Sequence, residues 1–187
     1  MKGCGRPVKV PLSSWRAALL AAVIVLAAWG LESRSVPPAT GAKLPSVVLA
    51  SLTGDSPIST DAMRGAPLII NFWATWCVPC REEMQSLELL SRRLSRYGVR
   101  VIGIDMDMDL NLAAEFVRAR RLTFPMYADG PGRQLQSLLR VSSLPETVLV
   151  SAEGAIVARI VGARGWNGIE SDRLLLRTLG LQLAAAE

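Results

Sequence analysis

The chain has 187 residues, 21 Lys and Arg against 16 Asp and Glu, a formal net charge of +5 and 50% hydrophobic residues. That size and apolar content imply one packed domain with an appendage, and exclude both a disordered chain and a multi-span membrane protein. Histidine is absent, which removes Ser-His and Cys-His catalysis, His-ligated zinc or copper and an axial haem histidine, and leaves the chemistry to cysteines, carboxylates or the backbone.

The charge is uneven along the chain. Residues 1–35 hold five basic groups (Lys2, Arg6, Lys9, Arg16, Arg34) and one acid, Glu32, whereas 36–187 hold 16 basic and 15 acidic groups. The domain is therefore near neutral, and no nucleic-acid partner is expected. Lys2, Arg6, Lys9 and Arg16 precede an uncharged apolar run over 17–31. As a helix it covers about 22 Å, less than the ~30 Å hydrocarbon core, so its length favours the apolar region of an export signal. Two readings stay open: a signal peptide cut after Gly30, or an uncleaved anchor with Trp15 and Trp29 at the membrane interfaces. In both, the basic end stays cytoplasmic and the rest is exported. The expected organisation is a signal or anchor segment at 1–35, a linker containing Pro37, Pro38 and Gly41 at 36–44, and a domain at 45–187. Cys4 has no apolar run before it and reads as an incidental thiol, so Cys77 and Cys80 are the exported pair.

Within the domain, 46–52 reads as a strand, followed by a turn at Thr53, Gly54 and Asp55 and a short helical turn opened by Ser59, Thr60 and Asp61. The nearly continuous apolar run 68–73 reads as a central strand covered on both faces. From 78 to 97 the period becomes helical, with Met84, Leu87, Leu90 and Leu94 on one face and Gly98 as the stop. A second buried strand is expected at 99–105, and a helix at 112–121 with Leu112, Phe116 and Val117 inward. Residues 124–127 read as a break and 134–140 as a short helix. Strands at 147–150 and 156–161 flank Glu153 and Gly154 as a hairpin, and 171–183 closes as an amphipathic helix. This order predicts an α/β fold with a central mixed sheet flanked by helices.

Trp76-Cys77-Val78-Pro79-Cys80 lies where the strand 68–73 meets the next helix, and a C-x-x-C there is a redox motif with a mechanism. At the helix amino end, Cys77 meets unpaired N–H groups and the positive end of the dipole, which favour its thiolate and make it the attacking sulfur. Cys80, one turn on, can attack the mixed disulfide that Cys77 forms. Pro79 suits an early helical position and stiffens the motif. A zinc site lacks two further ligands, and a purely structural disulfide across so small a loop removes little chain entropy. No cofactor or metal is expected. Asp105, Asp107 and Asp109 resemble the start of a calcium loop, but Leu110 stands at the sixth position and Phe116 at the twelfth, so the stretch reads as a polar strand end.

The stretch from Asn71 to Met84 resembles the active-site region of thioredoxin-fold thiol-disulfide oxidoreductases of the TlpA/ResA/DsbE (CcmG) type. Phe124-Pro125, Leu144-Pro145-Glu146-Thr147 and Glu153-Gly154 extend the resemblance over roughly 45–183. It implies a thioredoxin-like fold in which Pro145 is the cis-proline beside Cys77 and Leu144 pairs its backbone with an extended substrate. It also implies that Glu83 is a buried acid near the sulfurs and a proton acceptor for Cys80. Read without the resemblance, Glu83 is a solvated helix carboxylate like Glu82 and Glu88. Asn71 stands where cytoplasmic thioredoxins carry a buried Asp. Gln85 departs from the family's usual Pro, which puts a helix kink there in question. Trp73 reads as a core aromatic and Trp76 as the one that touches a partner.

The resemblance implies a periplasmic, membrane-anchored reductant of disulfides in exported proteins, either apocytochrome c or the copper-site protein of an oxidase, with a transmembrane thiol carrier as electron donor. Two alternatives stand beside it. One is a disulfide-forming oxidant, separated only by reduction potential. The other is a copper chaperone on the same fold, for which the usual histidine is missing and Met106, Met108 and Met126 read as core or loop residues. A peroxidase lacks here both a separate resolving cysteine and a Thr-x-x-Cys pocket.

Overall fold

The computed structural model describes residues 40–130 and 132–182; the expected signal or anchor segment, Cys4 and the linker residues 36–39 lie outside them. Seven strands form one sheet: β1 (Val48–Ser51), β2 (Ile58–Ser59), β3 (Leu68–Trp73), β4 (Arg100–Asp105), β5 (Met126–Ala128), β6 (Glu146–Val150) and β7 (Ile156–Val161). Their spatial order is β2-β1-β5-β4-β3-β6-β7. β3, β4 and β5 run parallel, while β6 is antiparallel to β3 and both edges are antiparallel additions. The helices are α1 (Val78–Leu94), α2 (Leu110–Ala119), α3 (Gln134–Leu139) and α4 (Ile169–Thr178). This is the mixed-sheet, thioredoxin-like α/β fold expected.

The apolar run of β3 is central because all six of its residues are buried, as a strand paired on both sides and covered on both faces requires. Met84, Leu87, Leu90 and Leu94 form the inward stripe of α1 and are all fully or almost fully buried. That helix passes through a 3₁₀ turn, Ser95–Tyr97, and stops at Gly98, whose φ of 71° is the left-handed cap a glycine adopts without a Cβ clash. Arg93 on α1 forms an ion pair at 2.9 Å with the buried Asp172 on α4 and donates to the Trp166 carbonyl, so the two helices are tied together. Residues 41–44 run beside the β6–β7 turn: Gly41 N–H donates to Ile156 O, Ile156 N–H to Ala42 O, and Leu44 N–H to Gly154 O.

Several elements differ from the sequence expectation. Residues 124–127 are not simply a break: after Phe124 and Pro125 the chain re-enters the sheet as β5, a three-residue strand held by partners on β1 and β4. α2 starts at Leu110, capped by the Asp109 carboxylate, which accepts from Asn111 N–H. Its inward residues are Ala113 and Val117 with Phe116 partly buried, whereas Leu112 is exposed. α4 starts at Ile169 and ends at Thr178. Glu88, read as solvated beside Glu82, is buried and accepts from Thr123 N–H and Oγ1–H, Phe124 N–H and Arg92 Nε–H. The carboxylate turns inward because the loop leading into β5 presents donors that the sheet leaves unpaired.

Candidate active site

The parallel β3 and β4 end side by side, and β6 begins next to them because it runs the opposite way. Trp73 is level with Asp105, and Phe72 with Glu146. Loop 74–77, the Asp105 end of β4 and Pro145, one residue before Glu146, therefore share one end of the sheet, the end where α/β sheets place their sites. The Leu144–Pro145 peptide is cis, Pro145 is buried and Leu144 is partly buried.

Cys77 is the N-cap of α1. Its backbone is extended, and its Sγ accepts from Cys80 N–H at 3.3 Å. An N-cap position aims the free N–H groups of the first turn at the side chain, the geometry that stabilises an anion there. Pro79 follows within the first turn, where no N–H is missed. Cys77 and Cys80 are joined as a disulfide. They are unequal: Cys77 keeps 6% exposure and Cys80 none. Trp76 and Val78, at 64% and 51% exposure, flank Cys77 with apolar surface, while Trp73 is buried against Phe116. α1 runs unbroken through Gln85, which is exposed and lines an open groove with Val78, Arg81 and Arg120.

Loop 74–77 is held from β4. Asp107 accepts from Thr75 N–H at 2.8 Å and Thr75 Oγ1–H at 2.9 Å, and Arg81 donates to Thr75 O. Asp107 N–H in turn donates to Asp105 Oδ1, leaving Asp105 Oδ2 buried without a partner among the described residues. Burial first, and then the neighbouring Asp107 carboxyl, push the Asp105 carboxyl up to about 8. Between its unfolded value of 3.8 and about 8 the folded protein holds a proton the unfolded chain has lost, so this group's contribution falls as pH rises through that window, by at most about 1.4 kcal/mol per pH unit. Asp105→Asn is therefore expected to flatten the fall in stability from pH 4 to 8, read from urea midpoints; an unchanged pH slope would contradict this.

Glu83, one turn beyond Cys80 on α1, is 4% exposed. Its Oε1 accepts from Asn71 Nδ2 at 2.8 Å, and its Oε2 from Arg164 N–H at 3.0 Å and Trp166 Nε1–H at 3.3 Å. Burial holds this carboxyl above its usual range, against the pull of the three donors. Asn71 also donates to Thr147 Oγ1 at 3.1 Å. The carboxylate thus sits beneath the helix that carries both sulfurs, in contact with β3 and with the loop after β7. Sequence reasoning missed Trp166, Thr147 and the Asp107 clamp. For Asp107 a signal existed, the acidic strand end, whereas Trp166 lies in a glycine-containing loop with no motif.

A helix-capping cysteine closed onto a buried cysteine one turn on, at the end of a thioredoxin-like sheet, defines a thiol-disulfide oxidoreductase. The chain belongs to the AhpC/TSA family, whose model matches residues 40–159. It is similar to the thiol-disulfide oxidoreductase ResA of Bacillus cereus, with 31% identity over 130 residues, 70% of this chain and 74% of the relative. Among solved structures it is similar to a secreted thiol-disulfide isomerase of Corynebacterium glutamicum, with a TM-score of 0.63 and 26% identity, covering 73% of this chain and 83% of that one. It shares its fold with a thioredoxin-family thiol:disulfide interchange protein of Chlorobium tepidum, with a TM-score of 0.60 and 22% identity, covering 76% of this chain and 96% of the other.

Proposed function

We propose that this protein reduces disulfides of exported proteins through Cys77 and Cys80, with Glu83 as the base for Cys80. The observation that carries the reading is the inequality of the two sulfurs: Cys77 caps the helix and keeps 6% exposure, and Cys80 is fully buried one turn before a buried carboxylate. In the reduced protein, the Cys77 thiolate attacks a substrate disulfide, forming a Cys77–substrate bond and expelling the other substrate sulfur as a thiolate, which takes a proton from water. Glu83 then accepts the proton of Cys80. The Cys80 thiolate attacks the Cys77 sulfur, forming the Cys77–Cys80 bond and breaking the Cys77–substrate bond; the substrate sulfur leaves as a thiolate that takes a proton from water, and Glu83 returns its proton to water. Two electrons pass to the substrate, and the disulfide seen here is the product. Trp76 and Val78 supply apolar contact around Cys77, and Leu144 offers backbone to an extended segment beside Pro145.

The family resemblance implies apocytochrome c or an oxidase copper-site protein as substrate and a transmembrane thiol carrier as reductant. The apolar run 17–31 of the sequence supports a location on the periplasmic face of the inner membrane, anchored or released after Gly30. Among the described residues no helix is long and apolar enough to cross a membrane. The copper-chaperone alternative gains nothing from the methionines, since Met106 and Met126 are buried and Met108 lies on the surface.

Glu83→Gln is expected to slow release of a preformed Cys77 mixed disulfide roughly 100-fold near neutral pH, with recovery as pH approaches the ordinary thiol value of about 8.5. Stopped-flow release rates across pH check this; a wild-type rate at pH 7 in Glu83→Gln removes Glu83 from the mechanism.

A further inference from the structure

We propose that Asn71 is a proton-following positioning residue: its side-chain amide donates to Glu83 while that group is a carboxylate and turns over to accept from it once it is an acid, with the Thr147 hydroxyl serving both orientations. This rests on the reading of Glu83 as the base for Cys80.

Asn71 lies in the middle of β3, level with Gly103 on one side and Thr147 on the other, and has no exposure. Its Nδ2 spends both hydrogens, on Glu83 Oε1 and Thr147 Oγ1. Its Oδ1 is buried and has no partner among the described residues. A native interior seldom leaves an amide oxygen so placed without a reason. The two Glu83 oxygens also differ. Oε2 faces a backbone N–H and an indole N–H, groups that donate and cannot accept. A proton arriving from Cys80 therefore belongs on Oε1, the oxygen opposite Asn71.

There the amide N–H meets an O–H, two donors facing each other. The terminal torsion of asparagine is soft and nearly two-fold, so a half-turn moves no other atom of the core. It puts Oδ1 where Nδ2 stood, accepting from the Glu83 O–H and from the Thr147 O–H, since a hydroxyl both donates and accepts. Nδ2 then takes the unpartnered place. Each protonation state leaves one end of the amide unpartnered, so the hydrogen-bond count favours neither. A partner that bonds both forms suits a carboxyl that must gain and lose a proton in every turnover. A fixed donor would oppose protonation, and a second carboxylate would oppose ionisation.

The groups facing Glu83 are these: Asn71 from β3, backed by Thr147 on β6; the Arg164 amide and Trp166 indole from the loop after β7, with the Arg164 side chain exposed; and Cys80 one turn back on α1. On α4, the acid turned toward α1 is Asp172, already paired with Arg93.

The test is NMR on the full chain in its disulfide form, following the Glu83 carboxyl carbon and the Asn71 side-chain amide through a pH titration. The expected result is one shared midpoint, with the contact between the Asn71 amide protons and Thr147 present above it and lost below it. In Asn71→Leu the carboxylate loses a donor and the acid an acceptor; the charge-assisted bond is the stronger, so the Glu83 midpoint is expected to rise by about one pH unit. An Asn71 amide that keeps its proton contacts through the Glu83 midpoint overturns the proposal, and this measurement requires no variant to fold. The underlying reading fails separately, if release of the mixed disulfide shows no dependence on Glu83 while the two groups still titrate together.

Discussion

Cys77→Ser is expected to abolish reduction of insulin disulfides, while Cys80→Ser accumulates covalent adducts with its substrate. The difference follows from position. Cys77 caps the helix amino end, a position that favours an anion, and keeps 6% exposure, whereas Cys80 has no exposure with which to meet a folded partner. Without Cys77 there is no first bond; without Cys80 the first bond forms and has nothing to break it. Turnover is lost in both, but only Cys80→Ser shows a reducible mass increase on a non-reducing gel. Expressed in the native cell, the same variant is expected to capture the physiological substrate. Full activity in Cys77→Ser would overturn the assignment of the attacking sulfur.

Glu88→Ala is expected to cost about 3 kcal/mol of stability, roughly 8 °C in melting temperature for a chain of this length. Glu88 is 2% exposed and answers three donors from Thr123 and Phe124. Its pair with Arg92, whose side chain is 63% exposed, adds little. Burial pushes this carboxyl up, but the bonds from Thr123, Arg92 and Phe124 together hold it below its usual value of 4.5. A depressed carboxyl contributes stability that is full above the unfolded value and lost as pH falls through the folded one. The variant's deficit is therefore expected at pH 7 and to shrink below about pH 4. Calorimetry at both pH values reads it, and a deficit under about 0.5 kcal/mol at pH 7 would show the loop into β5 to be held by other contacts.

The parts of the fold that a local pattern announces were legible in the sequence. The run of β3, the stripe Met84, Leu87, Leu90 and Leu94, and the hairpin around Gly154 each carry a periodicity or a turn residue within a few positions. β5, of three residues, exists because of partners on β1 and β4 far along the chain, which no short window of sequence contains, and β2, of two residues, is too short to carry a periodicity although its partner β1 lies only about ten residues before it. The redox pair was legible because its chemistry is local, one helical turn at a strand end. The surroundings of Glu83 were not, because its donors come from β3 and from a loop some eighty residues away. Glu82, Glu83 and Glu88 look alike in sequence; only what packs against each makes one a surface charge, one a buried acid and one a loop anchor.

In the proposed direction of exchange, the Cys77–Cys80 pair donates electrons to other proteins' disulfides. Its reduction potential, measured by equilibrating the full chain with defined glutathione or dithiothreitol mixtures and counting free thiols, tests this most directly. A reductant is expected below about −200 mV, on the side of thioredoxin at about −270 mV, whereas a value near the −120 mV of the oxidant DsbA would contradict the account and make the protein a disulfide-forming enzyme.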